Sequence, residues 1–169
     1  TSAADDAIDL AAVAGLELLP WQQIVLRNAL GEKHDRWAAF EVGLVVPRQN
    51  GKNVVIMARQ LAGLFLFGEE LQVHTSHRFK TTRAAHRDLV KLIEGVPDLK
   101  GEVQACPTST ENTAIILRNG NRIEFLARQG GSGRGLSGDT VYLDEAFNLS
   151  TETVSDLMPT LSARRRPQL

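Results

Sequence analysis

Two short stretches of this chain carry residues whose types and spacing suit phosphate chemistry. The first is Val46-Pro47-Arg48-Gln49-Asn50-Gly51-Lys52-Asn53, between an apolar run and a helical pattern. A loop between a strand and a helix aims backbone N–H groups and a helix N-terminus at one spot, which is how proteins hold phosphate. Lys52 would reach the β- and γ-phosphates of a nucleotide as a mobile point charge. Against the pattern G-x-x-x-x-G-K-[ST], Val46 stands where the first Gly belongs, and Asn53 where a magnesium-binding hydroxyl belongs. A Gly-Lys pair alone carries little, because a plain strand-to-helix turn with a solvated lysine reads the same. The second stretch is Val141-Tyr142-Leu143-Asp144-Glu145-Ala146, an apolar strand ending in two acids. Open α/β sheets bind ligands at the C-terminal edge of their strands. There Asp144 would hold Mg2+ and Glu145 would orient and deprotonate an attacking water. Strand-end acids are common in solvent, so neither stretch is decisive alone. Their order and their shared position at strand ends predict a bound nucleotide and its hydrolysis.

The elements that must position these residues follow from periodicity and turn residues. Ser2 to Ala14 is Ala-rich and helical, stopped by Gly15, and a second helix runs from Trp21 to Leu30 with Pro20 in its first turn. Phe40 to Val46 reads as a buried strand, Pro47 to Gly51 as a loop and Lys52 to Phe67 as a helix. Leu71 to His74 is a short strand, Thr81 to Ile93 an amphipathic helix, and Val103 to Cys106 a further strand. Thr113 to Leu117 and Arg122 to Leu126 flank Asn119-Gly120-Asn121, a hairpin signal. A glycine-rich loop, Gly130 to Gly138, leads into the strand Thr140 to Leu143, and Thr151 to Ser162 is the last helix, interrupted by Pro159. Strands alternating with helices predict one α/β domain over residues 1–169, with a mostly parallel central sheet and a local hairpin.

The composition is that of an ordinary globular domain: 43% apolar and 23% charged residues, with a net charge of -1. Any contact with DNA must therefore come from local patches. A lone cysteine, Cys106, excludes an internal disulfide and a cysteine-rich zinc site. No apolar run reaches the roughly 18 to 20 residues of a membrane span, so no membrane partner is expected. The start without Met and the end at Pro167-Gln168-Leu169 suggest a fragment of a longer protein.

Beyond this, Pro47-Arg48-Gln49-Asn50-Gly51-Lys52, with an Arg inside and no leading Gly, resembles the variant phosphate loop of tailed-phage large terminase subunits. Leu19-Pro20-Trp21-Gln22 resembles that family's adenine-recognising segment, in which Gln22 would read the adenine edge and Trp21 would pack beside it. Gly133-Arg134-Gly135-Leu136-Ser137-Gly138-Asp139 is similar to the glycine-flanked Arg loop that precedes the acidic strand in terminases. His74-Thr75-Ser76-His77 resembles the segment linking the nucleotide site to DNA, and the following Arg78, Lys80, Arg83, Arg87 and Lys91 set five basic residues against Asp88. Such a face would meet phosphate backbone without sequence preference, although most charge runs are only solvated. His74-x-x-His77 has no third ligand nearby and is set aside as a metal site.

The resemblance covers Pro20 to about Leu161. It implies a phosphate-loop ATPase core of the additional-strand (ASCE) type, truncated at its C-terminus before a further core strand and a nuclease domain. It implies ATP and Mg2+ as cofactors, with Trp21, Gln22, Pro47, Arg48, Gln49, Asn50, Gly51, Lys52 and Asn53 at ATP, and Asn53 and Asp144 at the metal. Glu145 would be the catalytic carboxylate, and Arg134 or Arg48 the arginine finger. Its partners would be double-stranded DNA, further copies of itself in a ring, a portal and a small terminase subunit, in the cytoplasm of an infected bacterium. A helicase- or restriction-type DNA translocase shares most of these motifs. Asn53 also leaves open a nucleotide-binding module without turnover.

Overall fold

The computed structural model describes residues 2–47, 49–109, 112–128, 138–146, 149, 151, 155, 161 and 164–169. Helix α1 (Ala3–Val13) opens on a capping box in which Ser2 and Asp5 satisfy each other's backbone N–H groups. Ala4, Ala7 and Ala11 recur on one face and are buried, small enough to bring α1 close against α3 (Lys52–Phe65). Between them in sequence, α2 (Pro20–Ala29) packs on both.

A two-residue hairpin not anticipated from the sequence follows, β1 (Glu32–Lys33) and β2 (Arg36–Trp37), with His34 and Asp35 at φ 50° and 64° in its turn. Trp37 at its end is buried edge-on against Phe67, ring centroids 5.1 Å apart.

The remaining elements are β3 (Leu71–Ser76), α4 (Phe79–Glu94), α5 (Pro97–Glu102), β4 (Val103–Ala105), β5 (Ala114–Leu117), β6 (Arg122–Ala127) and β7 (Thr140–Leu143). They form a five-stranded sheet in the order β4-β5-β6-β3-β7. β3 pairs in parallel with β6 and β7, while β4–β5 and β5–β6 are antiparallel. The sheet is therefore mixed, not mostly parallel, because the hairpin predicted at Asn119–Asn121 builds one side of it. Short α5 was also not foreseen.

Alternation along β3 sorts the two faces. Gln72 and His74 look toward α3 and α4, where His74 meets Gln60 and, with His86 of α4, stacks about Phe125. Val73 looks the other way, into a smaller cluster with Val141 and Leu161. The main core lies between the α3–α4 layer and the sheet, with Leu61, Leu64, Leu89, Ile115, Ile123 and Phe125 fully buried.

The buried strand expected at Phe40–Val46 does not form. Its residues alternate between exposed and half-buried, and Val45 is 97% exposed. A strand needs a hydrogen-bonded neighbour. Here the described backbone bonds are Leu169 N–H to Phe40 O (2.8 Å) and Val42 N–H to Leu169 O (2.9 Å). Gln168, one residue earlier, bridges in parallel to Thr140 of β7. The last two residues thus lie between β7 and Phe40–Val42, and beyond Val42 the apolar letters find no ladder among the described residues.

Candidate active site

Strands β3, β6 and β7 run parallel, and their registers bring Ser76, Ala127 and Leu143 to the same edge. Asp144 follows β7 directly, with its N–H bonded to Thr75 O at 2.8 Å. α3 delivers Lys52 to this edge from its first residue. Its N-cap, Gly51, takes φ 77°, a left-handed conformation open to glycine. Lys52 Nζ forms an ion pair with Asp144 Oδ1, so the two motifs that stand far apart in sequence meet in space. Asp144 is 6% exposed and Lys52 32%, a pair half inside the protein.

Glu145 N–H donates to Asp144 Oδ1 at 2.9 Å, and Glu145 itself sits at φ 56°. A non-glycine residue in this region persists only where its surroundings over-determine it. His74 Nε2 lies 4.0 Å from Asp144 Oδ2 and has no hydrogen-bond partner among the described residues. Its Nδ1 faces the Gln60 amide nitrogen at 2.8 Å. An amide nitrogen only donates, so Nδ1 is the acceptor and Nε2 carries the proton toward Asp144. Burial, reinforced by Lys52 and Arg128 and opposed by Asp144, pulls His74 down to about 4, so it is neutral.

Gln22 is 2% exposed and wholly engaged within the protein. Its Oε1 accepts from Leu19 N–H (2.7 Å), capping α2, and its Nε2 donates to Gly51 O (3.0 Å). The glutamine expected to read adenine instead ties α2 to the loop before Lys52 in this structure. Trp21 is half-buried beside Gly51. Pro47, Gln49 and Asn50 are exposed, with Gln49 at φ 60°. Arg48 and Arg134 both lie outside the described residues, as does most of the expected Thr151–Ser162 helix.

Asn53 is exposed and lines, with Asp144, Met57, Thr81 and Asp88, a cleft of about 80 Å3 between α3 and α4. A carboxylate and an amide oxygen on one cleft, the carboxylate already drawing a cation in Lys52, suit a hard ion such as Mg2+. No group of three or more His, Cys, Asp or Glu side chains is gathered as a metal cluster among the described residues. Lys80, Arg83, Arg87 and Lys91 recur along one exposed face of α4, with Arg78 at its N-cap and Arg87 turned to Asp88 at 3.3 Å.

Sequence reasoning passed over Arg128, which follows β6 and places its guanidinium beneath the Asp144–Glu145 backbone. An Arg directly after a strand of buried Ile123 and Phe125 was the available signal. It also passed over Arg59, fully buried in α3, which grips the Glu69 carboxylate with both terminal nitrogens and reaches Gln168 and Thr140.

No family model and no curated protein matches the chain. Among solved structures, the crystal structure of the HK97 bacteriophage large terminase superposes with a TM-score of 0.73 at 21% identity. The match covers 90% of this chain and 32% of that one, so this chain spans about a third of the length of the protein it resembles. At that identity the kinship is one of fold: nearly the whole of this α/β domain is built like a portion of a phage large terminase.

Proposed function

We propose that this chain is an ATP-hydrolysing motor domain of a terminase large subunit, of the phosphate-loop ASCE type. The reading rests on the meeting of Lys52 and Asp144 at one edge of the sheet. A triphosphate approaching the α3 N-terminus encounters the Gly51–Lys52 backbone and the Lys52 ammonium, with Asp144 and Asn53 holding Mg2+ beside it. The ion supplies neutralisation of phosphate charge when bound. Glu145, next in the chain, takes the proton of the attacking water, and Arg134 or Arg48 stabilises transition-state charge. Trp21 lies against Gly51; Gln22 reaches adenine by exchanging its bond to Gly51 O for one to the base.

In this reading turnover drives double-stranded DNA into a capsid. The chain then works within a ring of copies at a portal, with a small terminase subunit, in the host cytoplasm. The fold shared with the HK97 large terminase supports that context, and the basic residues of α4 give a surface for phosphate backbone. The test is single-turnover hydrolysis of radiolabelled ATP with protein in excess, alongside equilibrium binding. Lys52→Ala should weaken ATP binding at least tenfold, and Glu145→Gln should leave binding intact while lowering hydrolysis by about a hundredfold or more. Nucleotide binding unchanged by Lys52→Ala refutes the proposal.

A further inference from the structure

Arg128 is tied into this edge more extensively than any described residue of the two sequence motifs. Its backbone N–H donates to Ser76 O at 2.8 Å. Nη1 donates to Thr75 O (2.9 Å) and Thr75 Oγ1 (2.5 Å). Nη2 donates to Asp144 O (2.5 Å) and Glu145 O (3.3 Å). One planar fork therefore ties the end of β6 to the end of β3 and to the turn after β7. A lysine, with a single compact nitrogen, cannot span acceptors placed so far apart.

The contact to Asp144 O has a specific consequence. The peptide unit joining Asp144 to Glu145 consists of that carbonyl and the Glu145 N–H. The carbonyl is held by Arg128, and the N–H is held by Asp144 Oδ1 at 2.9 Å. The unit is pinned at both ends, so its rotation is blocked. That pinning keeps Glu145 at φ 56°, where a glutamate does not stay unaided. The direction in which the Glu145 side chain leaves the backbone is thus set by Arg128.

We propose that Arg128 is a positioning residue for ATP turnover: it aims Glu145 by clamping the Asp144–Glu145 peptide and takes no part in holding nucleotide. The inference rests on the ATPase reading above. Its range of effect follows from the sensitivity of general-base catalysis to placement, where an error of about 1 Å lowers the rate by about a hundredfold. An arginine that touched phosphate would instead lower affinity and rate together.

The experiment compares wild type, Lys52→Ala, Arg128→Ala and Arg128→Lys in the full chain. It measures the single-turnover rate, the dissociation constant for a fluorescent ATP analogue with Mg2+, and the exchange rate of the Glu145 amide proton without nucleotide. Both Arg128 variants should slow hydrolysis by about 30- to 100-fold and leave the dissociation constant within about threefold, since no nucleotide contact is lost. The Glu145 amide should exchange faster in both, and added guanidinium ion should recover part of the rate in Arg128→Ala but not in Arg128→Lys. If Arg128→Ala fails to fold, Arg128→Lys carries the same rate, affinity and exchange measurements. An unchanged rate in a folded Arg128 variant overturns the proposal, as does a dissociation constant that rises in step with the loss of rate. Those outcomes leave the ATPase reading standing if Lys52→Ala still weakens binding at least tenfold. A wild type that neither binds nor turns over ATP removes both.

Discussion

The Lys52–Asp144 pair should be energetically lopsided. In Lys52→Met the aliphatic stem stays and the ammonium goes. Asp144 is then a carboxylate at 6% exposure that has lost the lysine paired with it. Breaking a buried pair from one side costs about 3–5 kcal/mol when the remaining charge is stranded. Asp144 is not wholly stranded, because Glu145 N–H still donates to it and the Arg128 guanidinium lies within reach of its field. We therefore expect a loss of about 2–3 kcal/mol. Asp144→Asn is the opposite case. Lys52 is a third exposed and can turn to water, and the Asn oxygen can still accept from Glu145 N–H. The loss there is about 1 kcal/mol or less, that of a partly solvated pair.

The double variant should then resemble Asp144→Asn alone, with a coupling between the sites of about 2–3 kcal/mol, the whole of the Lys52→Met loss. Urea unfolding followed by circular dichroism gives all four stabilities, read from midpoints at equal slope. Should Asp144→Asn prove as damaging as Lys52→Met, or the two losses simply add, the picture of a buried acid leaning on a half-solvated lysine is wrong.

The same pair competes with phosphate for Lys52, so Asp144→Asn should bind ATP without Mg2+ about five- to tenfold more tightly than wild type, the equivalent of about 1 kcal/mol; equal affinity in EDTA would show the pair to be irrelevant to binding. Gly51→Ala should cost about 2–3 kcal/mol, because φ 77° is strained for alanine and the new Cβ would stand 2.6 Å from Gln22 Nε2; a neutral result in urea unfolding would deny the Gln22 tie. Gly63→Ala should lower the melting temperature by several degrees despite alanine's better helix propensity, since its Cβ would run into Glu69 Oε2 and fall 2.6 Å from Gln72 Nε2; a rise would show that the Arg59–Glu69 network yields easily. Stability should also fall in acid. The folded protein holds His74 down to about 4 while the unfolded chain titrates near 6.5, so His74's contribution is complete above about pH 6.5 and is lost as pH falls toward 4. Burial shifts His86 in the same direction. Between pH 7 and pH 5 the metal-free wild type should lose about 2 kcal/mol more than His74→Gln, and identical pH curves would contradict the buried neutral histidine.

How much of this was legible in the residues depended on where each interaction partner sat. Local signals carried well: the Ala-rich start forms α1 and stops before Gly15, Pro20 opens α2, and Asn119-Gly120-Asn121 turns the hairpin as the letters indicate. The approach of Lys52 to Asp144 was legible too, although by another route than the letters indicate: β7 carries Asp144 to the edge, while α3, with no strand at Phe40–Val46 before it, delivers Lys52 from its first residue. Phe40–Val46 was misread because strand letters describe a surface that fits a sheet, and the sheet neighbour is a tertiary fact. Arg128 was missed for a related reason. Apart from the Thr75 hydroxyl, its partners are backbone oxygens of Thr75, Ser76, Asp144 and Glu145, and carbonyls leave no mark in a sequence. Arg59 interrupts an apolar helical run, and its partner Glu69, just past the Gly68 turn, neutralises it inside the protein, a pairing that the spacing alone does not announce.

The arrangement has a consequence for how such a site would respond to ligand. Its reactive groups are engaged with one another: Lys52 with Asp144, Gln22 with Gly51, and the Asp144–Glu145 peptide with Arg128. The first two engagements involve groups that the nucleotide itself would recruit, so binding exchanges one partner for another and gains only the difference. The third holds backbone rather than a ligand-seeking side chain and survives that exchange. A site built this way admits its ligand by releasing side chains while its scaffold stays fixed. Variants of Lys52 and Gln22 should accordingly alter affinity, whereas variants of Arg128 should alter only the chemical step after binding. That division would fail in a site whose scaffold had first to assemble around the ligand, because there every substitution would register in both quantities.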